Sequence, residues 1–276
     1  MPDSRMPPLE RVKSDSTVRS VVVSWRLLDA LSQSVAPMRV TELAKLLGEP
    51  KAKIHRHLST MRGLGVVEQV PGSERYRLGW KLYQLGQVAF ERFNLKTVAE
   101  PYMARLRDEV CQSVVLAIPI GVEALLIANL DYTIAGLPKI SAVPGTVVPP
   151  AVSTTGRIIL AFAHKKQQDQ ILSQPLKAFT KHTITKPEVL RQRMQQIRQR
   201  LYDYGSEDLT LGIATVGAPI LGEDEQLLGI VSIVGSIQFV LDPPSPTQIS
   251  LVQSCAMAIS QHFGSKAYEG IAKPIR

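Results

Sequence analysis

A chain of 276 residues, 45% hydrophobic and 20% charged, has the material for two domains with apolar cores and is too apolar to be disordered. Its longest apolar runs, such as Ile213–Leu221, are too short to cross a bilayer, and its polar, proline-bearing start lacks the apolar centre of a secretion signal, so a cytoplasmic protein with no membrane partner is expected. The formal charge of +8 is unevenly spread: residues 1–95 carry 15 Lys and Arg against 9 Asp and Glu, a net +6, whereas residues 96–276 carry 17 against 15, a net +2.

Residues 1–15 read as a flexible tail. From Ser16 to Leu31, Val18, Val21, Val22, Trp25, Leu28 and Leu31 recur at three- and four-residue steps, the period of a helix with an apolar face. After a loop containing Pro37, Thr41 is placed to cap a short helix ending at Gly48, and Pro50 suits the first turn of the next helix, which runs to about Leu64. Residues 66–70 and 75–78 have strand character around the turn Pro71-Gly72-Ser73-Glu74. Helix, helix, turn, helix, hairpin is the order of a winged helix-turn-helix, here over residues 16–79. A connecting helix is expected over 80–90, within a linker assigned to 80–95, and another over 96–110.

Beyond this the pattern changes. Strands are predicted over 114–118, 124–130 and 139–143, and Ser153 can cap a helix running through Ala163. Pro187 opens a charged helix to about Tyr204, residues 213–220 and 226–234 form a hairpin around Gly222-Glu223-Asp224-Glu225, and a last helix covers 246–263. Grouped strands with helices between and after them predict an α+β domain over 96–265 on a mostly antiparallel sheet, with 266–276 as a second tail.

The third helix carries the most chemistry. Ile54, Leu58 and Met61 lie together at i, i+4 and i+7 and must face inward. The opposite face presents Lys51, Ala52, His55, Arg56, Ser59 and Arg62, with Lys53 beside it. Arg56 can pair bidentately with a guanine edge, Lys51 and Arg62 suit phosphates, and Ala52 is small enough to admit a thymine methyl. A basic amphipathic helix alone is as readily a solvated face. Its place as third helix, followed at once by a wing bearing Arg75 and Arg77, favours a reader of double-stranded DNA. His57 is read as a packing residue, and His55 and His57, two apart, point in different directions and do not form a metal pair.

The run VTELAKLLGEPKAKIHRHLSTMRGLGVVEQ, followed by YRLGWKLYQLG, resembles the isocitrate-lyase-regulator (IclR) family of transcription regulators. Gly48, Pro50, Lys51, His55, Arg56, Leu58, Leu64, Gly65, Tyr76, Arg77, Leu78, Gly79, Leu85 and Gly86 match its pattern. Ala52 and Lys53 stand where Ser-Thr is usual and His57 where leucine is, so no operator sequence can be carried over. The resemblance continues to about residue 265 through PPAVSTTGRIILAF (149–162), YGSEDLTLGIATVGAPI (204–220) and GIVSIVGS (229–236). It implies a GAF-like effector-binding domain and a homodimer or tetramer; reading helices of this kind act in pairs, which predicts a palindromic operator, and the first helix and the 80–90 helix, with apolar residues to spare, are the expected dimer surface. It also implies a small acidic or aromatic metabolite bound at Ser153, Thr154, Thr155 and Gly156, with Ser232 and the position of Val234 on the opposite wall.

A helix opened by Ser153-Thr154-Thr155-Gly156 offers unpaired N–H groups and a positive dipole end to a carboxylate; it is equally what an ordinary N-cap looks like. Val234 in place of a frequent serine, Ala151 in place of a frequent histidine, and Ala218 and Pro219 make the expected wall less polar than the family norm. Such a wall favours a ligand with an apolar body and one anionic end over a compact oxo-acid. No cofactor is expected. Two rivals are weaker. An enzyme would have to use Cys111, Cys255 or the acids at 223–225, none of which stands in a recognisable catalytic motif, and a winged helix can also serve protein or RNA contacts.

Overall fold

Helix α1 (Arg19–Gln33) carries two apolar stripes rather than one. Val23, Leu27 and Leu31, spaced by four, enter the core, while Val18, Val21 and Trp25 stay exposed, so the expected stripe is divided between core and surface. α2 (Val40–Leu47) is not capped by Thr41. Arg39 holds the cap position because it is already extended in the short strand β1 (Met38–Arg39), and its N–H donates to Glu42 Oε2 at 2.7 Å. Gly48 closes the helix at φ 66°, a left-handed conformation that glycine adopts without a Cβ penalty. Pro50 stands at the cap of α3 (Lys51–Gly63) rather than inside it.

The wing is β2 (Val67–Gln69) and β3 (Arg75–Leu78), and β1 pairs with the other side of β3 to give a three-stranded antiparallel sheet. Ile54, Leu58 and Met61 of α3 meet Leu27, Leu43, Val67 and Tyr76 in one core. Burying each such large side chain stabilises the unit by about 1.5–3 kcal/mol. α4 (Trp80–Glu91) follows the wing. The computed structural model describes residues 18–91, 95–133 and 142–271, and the chain forms two compact units that part between residues 94 and 95.

The second unit runs α5 (Leu95–Val110), β4 (Ser113–Ile120), β5 (Glu123–Leu130), β6 (Val147–Val148), α6 (Thr154–Phe162), α7 (Lys165–Leu172), α8 (Pro187–Arg200), β7 (Asp203–Ser206), β8 (Ile213–Leu221), β9 (Leu227–Ser236) and α9 (Pro246–His262). The sheet order is β6-β5-β4-β9-β8-β7, with every pairing antiparallel. Because side chains alternate along a strand, the sheet buries a different set on each face. Val114, Leu116, Val216, Ala218, Val231 and Ile233 pack with Met103 and Leu106 of α5 and Val252 and Ile259 of α9. Ala117, Ala124, Leu126 and Ile230 pack with Ile158 of α6 and Leu190 and Met194 of α8.

Several sequence boundaries move. The charged helix ends at Arg200, not Tyr204: Leu201 turns left-handed at φ 53°, and Asp203 to Ser206 pair with β8 as an edge strand. The carbonyl of Tyr204 on that edge accepts from Arg157 Nη2 and Arg193 Nη2, and that of Tyr202 accepts from Arg200 Nε. α7 and β6 were not anticipated. Of the strand expected at 139–143, the first three residues lie outside the described residues, and Ala142 and Val143 are not in a strand. The 1–15 tail and residues 272–276 also lie outside them. The start of the expected second tail is docked: Tyr268 is buried and its hydroxyl donates to Pro219 O at 2.6 Å.

Candidate nucleic-acid interface and ligand site

The inward stripe of α3 leaves Lys51, Ala52, His55, Arg56, Ser59 and Arg62 exposed on one face, as the wheel requires. The basic residues of this surface are not equivalent. Lys53 Nζ bonds Glu49 Oε2 at 2.8 Å, Arg62 Nη1 donates to Gln69 Oε1 at 2.8 Å, and Arg77 pairs with Glu68 across the wing. Arg75 Nη1 donates to Pro37 O at 2.8 Å and lies 3.5 Å from Glu42 Oε2, which ties β3 to the start of α2. Lys51 and Arg56 have no side-chain partner among the described residues. They are the cations most ready to meet a nucleic acid.

A cleft of about 610 Å³ between α3 and the wing sheet is lined by Arg39, Lys51, His55, Ser59, Arg62 and Tyr76, among others. Arg39 was missed by sequence reasoning because it falls between predicted elements. Its exposure and its position at the start of α2, in the same cleft as Lys51, are what the fold adds. His57 is turned away from this surface: its Nδ1 and Ser24 Oγ are 2.9 Å apart, joining α3 to α1. Burial, and after it the charges of Lys53 and Arg56, holds its pKa below the ordinary imidazole value.

In the second unit the register of the sheet builds a polar row beneath α6. Asn129, Val115, Ser232, Gly217 and Asp203 are successive cross-strand partners, and Ser113, Val234, Thr215 and Gly205 form the next row. Thr154 lies over this patch: its Oγ1 accepts from Thr215 Oγ1 at 2.6 Å and from Arg157 Nη2 at 3.3 Å. Ser232 Oγ is buried and meets no hydrogen-bond partner among the described residues. Gly217 is what leaves it room, since a Cβ there would stand 2.5 Å from Ser232 Oγ and 3.2 Å from Thr154 Cγ2.

The N-terminus of α6 behaves partly as an ordinary cap. Ser153 Oγ accepts from Gly156 N at 3.1 Å. Behind it Arg157 is fully buried, with Nε on Asp203 Oδ2 at 2.7 Å and Nη1 on Asp208 Oδ2 at 2.9 Å. Burial opposes its charge, but Asp203 and Asp208 outweigh that and raise its pKa. Arg193 and Arg200 reach Asp203 Oδ1 at 2.6 and 3.3 Å, so three guanidinium groups share two carboxylates. Burial pushes the Asp208 carboxyl above its usual range despite Arg157.

The structure brings Thr154 and Ser232 together, with Thr155 and Gly156 beside them in the first turn of α6 and half-buried Val234 in the next row. It places Ala218 elsewhere: strand parity turns Ala218 to the α5–α9 face, where it is part of the core. Thr215, Ser113 and Asn129 were missed, and they make this wall more polar than the sequence suggested. The signal that could have found them is the alternation of β8 and β4, once the partner strands are known.

Residues 20–71 match the IclR helix-turn-helix domain, and residues 87–261 match the bacterial transcriptional regulator IclR C-terminal domain. The chain is 27% identical over 263 residues to the transcriptional repressor IclR of Escherichia coli K12, covering 94% of this chain and 95% of that one. It is likewise 27% identical over 247 residues to the regulator KipR of Bacillus subtilis, covering 89% and 97%. Among solved structures it resembles an IclR transcriptional regulator from Alicyclobacillus acidocaldarius (TM-score 0.78, 23% identity, 90% of this chain and 100% of that one). It also resembles an IclR homologue from Microbacterium hydrocarbonoxydans complexed with 4-hydroxybenzoate (TM-score 0.77, 22% identity, 88% and 98%). With a winged helix-turn-helix that leaves Lys51 and Arg56 free and a C-terminal α/β domain on an antiparallel sheet, the chain belongs to the IclR family of DNA-binding transcription regulators.

Proposed function

We propose that α3 reads a palindromic operator as one of a pair, and that a carboxylic acid with an apolar body bound beneath α6 modulates that reading. On the DNA side, Arg56 is the base reader and Lys51 the phosphate contact, since both cations are exposed and unpaired. Ala52, His55 and Ser59 complete the face toward the bases. Lys53, Arg62, Arg75 and Arg77 reach DNA only by exchanging their internal partners. Pairing of two heads through the exposed apolar residues Val18, which precedes α1, Val21 and Trp25 of α1, and Trp80 and Tyr83 of α4 would set the half-site spacing.

The observation that carries the ligand reading is the buried, unpartnered Ser232 hydroxyl facing the first turn of α6. A buried donor without an acceptor costs about 1–3 kcal/mol, which an incoming carboxylate or phenol removes. The Thr154 hydroxyl, already accepting twice, has its hydrogen left to donate, and the amides of Thr154 and Thr155 belong to the first turn of the same helix, where intrahelical acceptors are lacking. Thr215, Ser113 and Asn129 suit a second polar group on the ligand, which agrees with the related Microbacterium structure holding 4-hydroxybenzoate. Calorimetric titration with 4-hydroxybenzoate, benzoate and pyruvate tests this: binding of the aromatic acids, weakened about tenfold by Ser232→Ala, is expected. Binding of pyruvate alone would overturn it.

A further inference from the structure

Residues 164–200 hold nine Lys and Arg against two Asp and Glu, a net +7, whereas the rest of residues 96–276 hold eight against thirteen, a net −5. The near-neutral total of the second unit thus conceals a basic surface on α7, α8 and the loop between them. Part of this charge is engaged internally: Arg193 and Arg200 on Asp203, and Lys165 on Asp169 at 3.1 Å. Lys166, Lys181, Lys186 and Arg191 are exposed and have no acid or acceptor among the described residues.

Local packing relates the groups on α7 and α8, while Lys181 lies on the loop between them. Arg198 Nε donates to Ala161 O at 2.6 Å and its guanidinium lies 5.0 Å from the centre of the Phe162 ring, which seats α8 beside the turn leading to Lys165 and Lys166. Arg191 lies two turns earlier on the same side of α8, about 10 Å along its axis, and Lys186 immediately precedes the helix. Val189 is the one exposed large hydrophobic residue in residues 164–200. A protein partner would need an apolar centre to dock on. A cationic band without one suits a polyanion of regular charge.

DNA is the polyanion that a member of this family already holds, and we propose that the α7–α8 surface is a second, sequence-independent contact to DNA phosphates, outside the stretch read by α3. Such contacts work by counterion release and add affinity without specificity. The proposal is independent of the ligand reading and requires only that the protein binds DNA.

The test uses the full chain with the reading helix silenced by Lys51→Ala and Arg56→Ala, and a non-operator duplex of about 40 base pairs titrated across a range of potassium chloride concentrations. Residual binding is expected. Adding Lys166→Gln, Lys181→Gln, Lys186→Gln and Arg191→Gln should make the slope of log K against log salt less negative by about 2–4 per protomer, while the three Lys→Arg replacements leave it unchanged. With the reading helix intact, the fourfold Gln variant should lose affinity for an operator with long flanks but keep its preference among operator sequences. No residual binding, or an unchanged slope, overturns the proposal. So does binding to phosphatidylglycerol vesicles that the four substitutions abolish while duplex affinity stays the same, which would make the band a lipid-surface contact.

Discussion

Arg157 Nε and Asp203 Oδ2 meet at 2.7 Å with their side chains 1% and 0% exposed, joining α6 to the edge strand β7. Asp203 also receives Arg193 and Arg200, so its removal leaves the buried Arg157 charge with Asp208 as its one remaining carboxylate beside neutral acceptors. Asp203→Ala is expected to destabilise the second unit by about 3–5 kcal/mol. Trp25 and Trp80 are the only tryptophans and both lie in the first unit, so denaturation followed by far-ultraviolet circular dichroism should shift while the tryptophan signal does not.

Asp203 also marks where sequence reasoning stopped short. A helical pattern that passes through Leu201 without a glycine gives no stop signal, yet Leu201 takes φ 53° and the chain leaves as a strand. The outward face of α3 was legible because a single period of 3.6 fixes which residues oppose Ile54, Leu58 and Met61. Thr215 and Ala218 were not separable in the same way: the alternation splits them, but which set faces α6 depends on which helices cover each side of the sheet, and that packing is long-range.

Arg56→Ala should weaken operator binding by about 1–3 kcal/mol and relax preference at one base pair, as seen by anisotropy with a panel of operator variants. Lys51→Ala should weaken all duplexes alike and reduce the salt slope by about 1.

Arg75→Ala is expected to act on stability rather than on recognition. Losing the bond to Pro37 O should lower the stability of the first unit by about 0.5–1.5 kcal/mol, read from tryptophan fluorescence in urea, with operator preference unchanged.

The first unit should weaken in mild acid. Burial of His57, followed by Lys53 and Arg56, keeps its pKa below the ordinary 6.5, so the unfolded chain takes up the proton first as pH falls. Stability is therefore full above about pH 6.5 and declines as pH drops from there through the folded value. Thermal midpoints followed by tryptophan fluorescence at several pH values should show the decline, and His57→Gln should flatten it.

The two thiols should separate cleanly. Burial pushes the Cys255 thiol up to about 12, whereas Cys111 is exposed. Iodoacetamide at mild alkaline pH should label one cysteine in the native protein and two in guanidinium, and Cys111→Ser should abolish the native label.

The arginines on the carbonyls of Tyr202 and Tyr204 have a consequence for how copies of this chain can assemble. An incoming strand finds those acceptors, at the start of β7 and just before it, already taken. That edge of the sheet is therefore guarded against lengthening by another strand, and the same arginines protect the folded domain there against strand-by-strand aggregation.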